Sequence, residues 1–378
     1  MWGYIDIMNI AEPYFGEEEI EQVRAVLSSK WVTQGPKTKE FEELFAARHG
    51  VSNALATTSC TAALHLGAMA LGLGPGDEVL VPAFTWVTSA SCAEYVGASV
   101  RFVDVDPATY NINPSELEAV ISDRTRAIVA VHLFGKAAPM DEINRIATSR
   151  GIAVIEDAAC AVGTRYAGQP VGSLGDLGCF SFHPRKVITT GEGGMVTTNN
   201  AELAQRVKSL RNHGATGPAP GVNPAAAYAM GTFDSLGYNL RLSDIQAAVG
   251  VAQMSRLDEL LDERRRLALS YRNMLAGQDR FVLPEDDSGH TYQSFVIRTA
   301  DSCRETRNQT MDRLSGVGIQ TRPGTHAVHR LGYYRDKYGL QAEDFPEAAS
   351  AEDTTITLPI FPGMSERQQS QVVASLLA

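Results

Sequence analysis

From residue 53 to about residue 200, short apolar runs alternate with stretches of helical periodicity, and few architectures accept that alternation. The runs 54–57, 78–81, 99–103, 125–131, 153–155, 179–182 and 194–197 read as strands. The stretches 62–71, 87–95, 114–120 and 140–149 read as helices between them. Strands separated by helices build βαβ units, hence an α/β fold with a mainly parallel sheet. Such sheets bind their ligands beyond the carboxyl ends of the strands. The residues that follow each strand are therefore the first place to look for chemistry.

The flanks complete the organisation. Helices are predicted at 14–29 and 37–48, with Gly35-Pro36 breaking the chain between them. The stretch 213–235 is rich in Gly, Ala and Pro and reads as a long surface loop. Residues 244–277 read as one long helix, and its Arg264-Arg265-Arg266 run as a solvated face or connector. Beyond about residue 280 the pattern changes to strands such as 291–298 and helices at 304–316 and 365–377. The expected division is a large domain over 1–250, N-terminal segment included, and a connecting helix with a small C-terminal domain over 251–378.

Composition removes several classes of function. The 378 residues carry 33 Lys and Arg against 44 Asp and Glu, a net charge of −11, which opposes general nucleic-acid binding. No apolar run approaches the roughly 18–20 residues of a membrane span. Met1–Asp6 lacks the basic-then-apolar pattern of a secretory leader. The five cysteines are scattered, with no C-x-x-C pair, so neither a disulfide framework nor a metal site is expected. H-E-x-x-H, the phosphate-binding G-x-x-x-x-G-K-[ST] and G-x-S-x-G are absent. The expectation is an acidic, soluble, cytoplasmic protein with no nucleic-acid or membrane partner.

Four strand-end segments could carry chemistry. Thr57-Thr58-Ser59-Cys60-Thr61-Ala62 joins a strand to a helix, where hydroxyls and free amides suit a phosphate or simply cap the helix. Pro82-Ala83-Phe84-Thr85-Trp86 offers an aromatic plate that could stack on a flat ring or pack the core. Glu156-Asp157 ends an apolar strand, so a carboxylate there can pair with a protonated ring nitrogen or cap the next turn. Lys186 follows a buried strand and precedes Gly191-Glu192-Gly193-Gly194. Desolvation and neighbouring cations would lower its pKa and make it nucleophilic, whereas an isolated Lys is ordinarily solvated surface. Phosphate cup, aromatic plate, strand-end Asp and loop Lys, in that order, are the parts needed to hold pyridoxal phosphate as a Schiff base.

With these parts in view, the sequence resembles the DegT/DnrJ/EryC1/StrS sugar aminotransferases over almost its whole length. The resemblance is carried by Trp31-Val32-Thr33-Gln34-Gly35-Pro36, Thr61-Ala62-Ala63-Leu64-His65-Leu66, Gly74-Pro75-Gly76-Asp77-Glu78-Val79 and Val103-Asp104-Val105-Asp106. It continues in Glu156-Asp157-Ala158-Ala159, in Ser181-Phe182-His183-Pro184-Arg185-Lys186 with its Gly-Glu-Gly-Gly loop, and in Gly237-Tyr238-Asn239-Leu240-Arg241. It implies the PLP-dependent transferase fold type I: a large domain with a mainly parallel central sheet flanked by helices, plus a smaller C-terminal α+β domain. The cofactor would be pyridoxal 5'-phosphate, bonded to Lys186, which also shuttles the proton. Asp157 would bind the pyridinium nitrogen and Trp86 stack on the ring. Thr61, Ala62 and Ser181 would hold the phosphate. Asn239 of the partner subunit would complete that site, which implies a homodimer with shared active sites.

The implied reaction moves an amino group from L-glutamate to a keto-sugar, commonly a nucleotide-linked 4-keto-6-deoxyhexose. A free keto-sugar, a cyclitol or a keto-sugar acid is the alternative acceptor. A sugar dehydratase of the same fold would carry His in place of Lys186, and a regulator would not need the Lys186/Asp157 set. Candidate substrate residues are Thr33, His183, Arg241, His326 and His329, with Lys30, Arg185 and Arg322 as further basic groups at the mouth. One departure stands out: the family's usual Gln, three residues after the Asp, is Cys160, a weak hydrogen-bond donor toward the ring or its 3'-oxygen.

Overall fold

The computed structural model describes residues 7–218 and 222–378. The sequence argument about Met1–Asp6 lies outside them. The central sheet has seven strands: β1 (Asn53–Thr57), β2 (Glu78–Pro82), β3 (Ser99–Val103), β4 (Thr125–Val131), β5 (Ala153–Asp157), β6 (Leu177–Ser181) and β7 (Gly194–Thr198). Their order is β1-β7-β6-β5-β4-β2-β3. Pairings from β6 to β3 are parallel, and β7 runs antiparallel to both its neighbours.

Strand alternation sends successive side chains to opposite faces. Val79, Val81, Val129, Val131, Ile155, Leu177 and Cys179 enter one buried cluster, together with Ala63, Leu64 and Leu66 of the helix Cys60–Ala70 (α1). Ala54, Ala56, Phe180 and Met195 meet Phe41 and Phe45 on the other face, and Leu80, Ile128 and Val154 meet Ile143 and Ile146. Burial on both faces is why these strands read as unbroken apolar runs.

A second core forms around the antiparallel strands Phe281–Val282, Phe295–Thr299 and Thr355–Leu358, with Leu267, Tyr271, Ile319 and Leu376. Met8 belongs to this core, its amide donating to Gly318 O at 2.8 Å and its carbonyl accepting from Gln320 N at 3.0 Å. Conversely, Ala327, Val328, Tyr334, Ala348 and Ala351 pack into the main core. The two packing units therefore exchange segments at both ends.

Three local expectations are corrected. The predicted helix 244–277 is two helices, Asp244–Ser255 and Leu257–Met274. The break falls at Arg256, whose guanidinium pairs with Glu18 and Glu19 and lies 5.3 Å from the Tyr14 ring. The basic run in the second helix is not all solvated: Arg264 is buried and donates to the carbonyls of Gln293 and Ile360, 3.3 Å each. Helical spacing places it on the same side as Leu260, Leu261 and Leu267. The loop 213–235 contains a hairpin, Ala215–Pro218 with Gly231–Phe233.

Candidate active site

The segment expected to hold a phosphate begins with the entry into α1. Ser59 caps the helix by accepting from Ala62 N at 3.1 Å, and Thr57 Oγ1 donates to Ser59 O at 2.9 Å. The amides of Cys60 and Thr61 have no preceding helical turn to bond and are available to an anion. The glycine loop approaches this helix end as closely as a backbone can. A Cβ on Gly194 would stand 2.4 Å from the Ser59 carbonyl carbon and 2.6 Å from Cys60 N. Thr189 Oγ1 donates to Phe182 O at 2.7 Å and accepts from Gly191 N at 3.0 Å, so the loop folds back onto the end of β6. Gly191, at φ 81°, makes the turn.

Gly194→Ala must then displace the first turn of α1 or the start of β7, neither of which can swing away as a side chain does. The expected result is a stability loss of about 1–3 kcal/mol together with markedly weaker retention of pyridoxal phosphate. Thermal melting and dialysis of the cofactor-loaded protein check both.

The two acids at the end of β5 face opposite ways. Glu156 is fully buried and accepts from His132 Nε2 at 2.9 Å, Gly172 N at 2.7 Å, Leu174 N at 2.7 Å and Gly175 N at 2.6 Å. His132 Nδ1 accepts from Ala138 N at 3.0 Å, so Nε2 carries the proton given to Glu156. Glu156 is thus a structural anchor. Asp157 opens into the cavity instead: Oδ2 accepts from Ser89 Oγ at 2.6 Å and Oδ1 from Ala159 N at 3.1 Å. Burial pushes its carboxyl above the usual carboxylate range, while the hydrogen bonds from Ser89 and Ala159 and the charges of Lys186 and His132 work against that rise.

The cavity at the strand ends has a volume of about 360 Å³. Thr61, Trp86, Asp157, Cys160, Ser181, His183, Lys186 and His326 all line it. Lys186 Nζ donates to Cys160 Sγ at 3.1 Å. Trp86 is 51% exposed, its ring 5.6 Å from that of His326, so it faces the open cavity and is not packed into the core. His183 Nδ1 accepts from Arg185 N at 3.2 Å, and burial, aided by Lys186 and Arg322, keeps its pKa below the usual histidine range despite Glu192.

The lysine departs from expectation. Burial, the largest influence, does favour the neutral amine, but Cys160, Cys60 and Asp157 together outweigh it and leave the pKa above the usual lysine range. The groups that set the Lys186 pKa against burial are Cys160, Cys60 and Asp157, not the cations the sequence argument invoked.

The remaining predicted residues sit elsewhere. Ala62 faces its helix cap. His329 is a correction: it lies buried, its ring 4.9 Å from Phe345, outside the cavity lining, and burial lowers its pKa. Thr33 is exposed beside the start of the helix at Asp244, to whose amide its carbonyl bonds at 3.3 Å. Asn239 bridges Asn212, and Arg241 Nη1 donates to Asn212 Oδ1 at 2.7 Å. These three do not line the cavity of their own chain. Sequence reasoning passed over Thr85, Glu192, Gln293 and Ser294, which do. It also passed over Ser89, which has no motif and is placed only by the fold.

The geometry is matched by relatives. A family model described as the DegT/DnrJ/EryC1/StrS aminotransferase family fits residues 13–377. The chain belongs to that family. It is 38% identical over 373 residues to GDP-perosamine synthase of Caulobacter vibrioides, covering 98% of this chain and 97% of the relative. The PLP form of Spr1654 from Streptococcus pneumoniae superposes with a TM-score of 0.91 at 28% identity, over 98% and 97% of the two chains. PseC of Helicobacter pylori, an aminotransferase of pseudoaminic acid biosynthesis, gives 0.91 at 26% identity, over 98% of each. The protein is a PLP-dependent sugar aminotransferase of fold type I.

The cavity fits the cofactor on its own evidence. Free amides at the head of α1, the close approach that Gly194 permits, an exposed indole, a carboxylate and a lysine amine converge on one space. When bound, pyridoxal phosphate supplies the electron sink that makes the carbon–hydrogen bond of an amino donor acidic. The groups that the chain offers there are the amine of Lys186, the carboxyl of Asp157 and the free amides at the head of α1. Among the described residues no group of three His, Cys, Asp or Glu is placed to hold a metal, and no helix is long and apolar enough to cross a membrane.

Proposed function

We propose that the protein transfers an amino group from L-glutamate to a nucleotide-linked keto-sugar, a 4-keto-6-deoxyhexose being the favoured class. The observation that carries the nucleotide linkage is the pair Arg185 and Arg322. Both line the cavity, and neither guanidinium makes a hydrogen bond or ion pair among the described residues. Two uncommitted guanidinium groups on the wall of an acidic protein favour an anionic ligand, and Arg forks suit diphosphate oxygens. The amination of GDP-linked sugar implied by the name of the Caulobacter relative supports the same class.

In this reading Lys186 holds the cofactor and moves the proton, Asp157 faces the ring nitrogen, Trp86 stacks on the ring, and Thr61 and Ser181 hold the phosphate with the amides of Cys60 and Thr61, the Ala62 amide being given to the Ser59 cap. Cys160 stands at the ring edge. The partner subunit's Asn239 completes the phosphate site of a homodimer. Exposed Trp31, Tyr95, Tyr228, Met230, Leu236 and Tyr238 provide apolar surface for that association. His183 and His326 face the sugar, and the enzyme works in the cytoplasm.

The test separates the two half-reactions. L-glutamate alone should convert the visible absorbance of the loaded enzyme to that of its amino form. Nucleotide-linked keto-sugars should then restore it, and the free sugars should not. Arg185→Ala with Arg322→Ala should raise KM for the nucleotide-linked acceptor by about 10- to 100-fold, the range for hydrogen bonds to charged groups, with a smaller change for glutamate. Equal use of free and nucleotide-linked sugars would reject the nucleotide linkage.

A further inference from the structure

We propose that Ser89, backed by Thr85, is a positioning residue for the transfer reaction: its hydroxyl fixes the Asp157 carboxylate toward the cofactor's ring nitrogen. The inference rests on the role proposed above for Asp157. Ser89 is fully buried in the short helix Thr88–Glu94, three residues after Trp86. It does not line the cavity, so it acts through Asp157.

The geometry is a chain of hydroxyl groups. Ser89 Oγ stands 2.6 Å from Asp157 Oδ2, within the range of a charge-assisted O–H···O⁻ bond. Having donated to the carboxylate, it accepts from Thr85 Oγ1 at 2.9 Å. Asp157 Oδ1 is held independently by Ala159 N at 3.1 Å. One donor on each oxygen means that the carboxylate cannot turn about its Cβ–Cγ bond without losing both. Thr85 is itself fixed, because its backbone pairs with His326 in a two-residue strand contact. The hydroxyl chain therefore starts on a rigid element and ends on the acid.

Electrostatics point the same way. Burial favours a neutral Asp157, and the Ser89 bond is the largest influence opposing it. A neutral carboxyl would give up the negative charge that keeps a pyridine nitrogen protonated. Packing alone asks nothing of the Ser89 hydroxyl: alanine would fill nearly the same space at a buried helix position and has higher helix propensity. The hydroxyl is explained by what it bonds.

The experiment compares Ser89→Ala, Ser89→Thr and Asp157→Asn in cofactor-loaded enzyme. Ser89→Ala should lower kcat by about tenfold, the lower end for a hydrogen bond to a charged group. KM for glutamate should move less than twofold, cofactor should dissociate more readily, and the visible band should titrate at higher pH. That shift follows because a less firmly protonated ring draws less charge from its lysine linkage. Ser89→Thr keeps the hydroxyl and should restore the pH profile. Adding Ser89→Ala to Asp157→Asn should cost little more than Asp157→Asn alone.

A lowered melting temperature with unchanged kcat and pH profile would assign Ser89 to the fold and overturn the proposal while leaving Asp157 in its role. If Asp157→Asn is itself without effect, the role of Asp157 fails and takes this proposal with it. If Ser89→Ala does not fold, Thr85→Val removes the backing hydroxyl at nearly constant shape. It should shift the same titration in the same direction, and no shift would overturn the proposal.

Discussion

Lys186→Ala protein is expected to bind pyridoxal phosphate without covalent attachment, and its turnover should fall by at least about 10⁴-fold, the upper end for a positioned acid–base group. Among the described residues Lys186 is the single lysine lining the cavity, so no neighbour can replace its amine. After borohydride treatment and gel filtration under denaturing conditions the variant should retain no cofactor, whereas the parent keeps it as a reduced covalent adduct. A small primary amine added to the medium should return part of the proton-transfer rate. Its amine can occupy the space that the side chain vacates, without the positional advantage of a tethered group. Turnover near the parent level would reject Lys186 as the reacting amine.

The pH dependence of attachment follows from the same geometry. Cys160, Cys60 and Asp157 raise the Lys186 pKa, so the side chain is an ammonium at neutral pH before the cofactor arrives. Only the neutral amine attacks a carbonyl. Below its pKa the amine fraction grows about tenfold per pH unit. Attachment to cofactor-free protein should therefore accelerate steadily with pH through the neutral and alkaline range. Stopped-flow absorbance reads the rate.

How much of this was open to sequence reasoning depended on whether position or contact was at stake. The strands of the central sheet are visible because burial on both faces makes them continuous apolar runs. Asp157 and Lys186 are visible because strand ends carry ligands and the surrounding motifs are dense. Contacts made across the fold leave no such trace. Ser89 is one serine in a run of small residues, and only folding sets its hydroxyl against a carboxylate 68 residues away. Arg264 belongs to a charged run, yet helical phase turns it into the core. The break at Arg256 coincides with its ion pairs to Glu18 and Glu19, partners distant in the chain, so the local pattern continues through it. Gly194 is legible as a motif, but the reason for it is a backbone contact with Ser59. The raised pKa of Lys186 likewise comes from side chains of two distant segments, around residue 60 and around residues 157–160.

Asp157→Asn should lower kcat by about 10²–10³-fold, the range for removing one preorganised electrostatic group from a reacting centre, and should loosen the cofactor. Asn keeps the shape, its one oxygen can still accept from Ala159 N, and Ser89 can turn to accept from the new amide, so most of the loss measures charge. With no carboxylate opposite it the ring nitrogen gives up its proton, and the cofactor becomes a poorer electron sink. KM for glutamate should change less, since the amino donor binds through other groups. The neighbouring acid is the control. Glu156→Gln replaces an acceptor held by four donors with a group that itself donates, and a buried donor facing donors costs about 1–3 kcal/mol. Its melting temperature should fall while the folded enzyme keeps the parent's visible spectrum and pH profile. Two adjacent carboxylates would then fail in different ways, one in chemistry and one in stability, because strand alternation turns Asp157 to the cavity and Glu156 to the 172–175 turn. Parent-like kcat in Asp157→Asn, or a shifted pH profile in Glu156→Gln, would reverse that assignment.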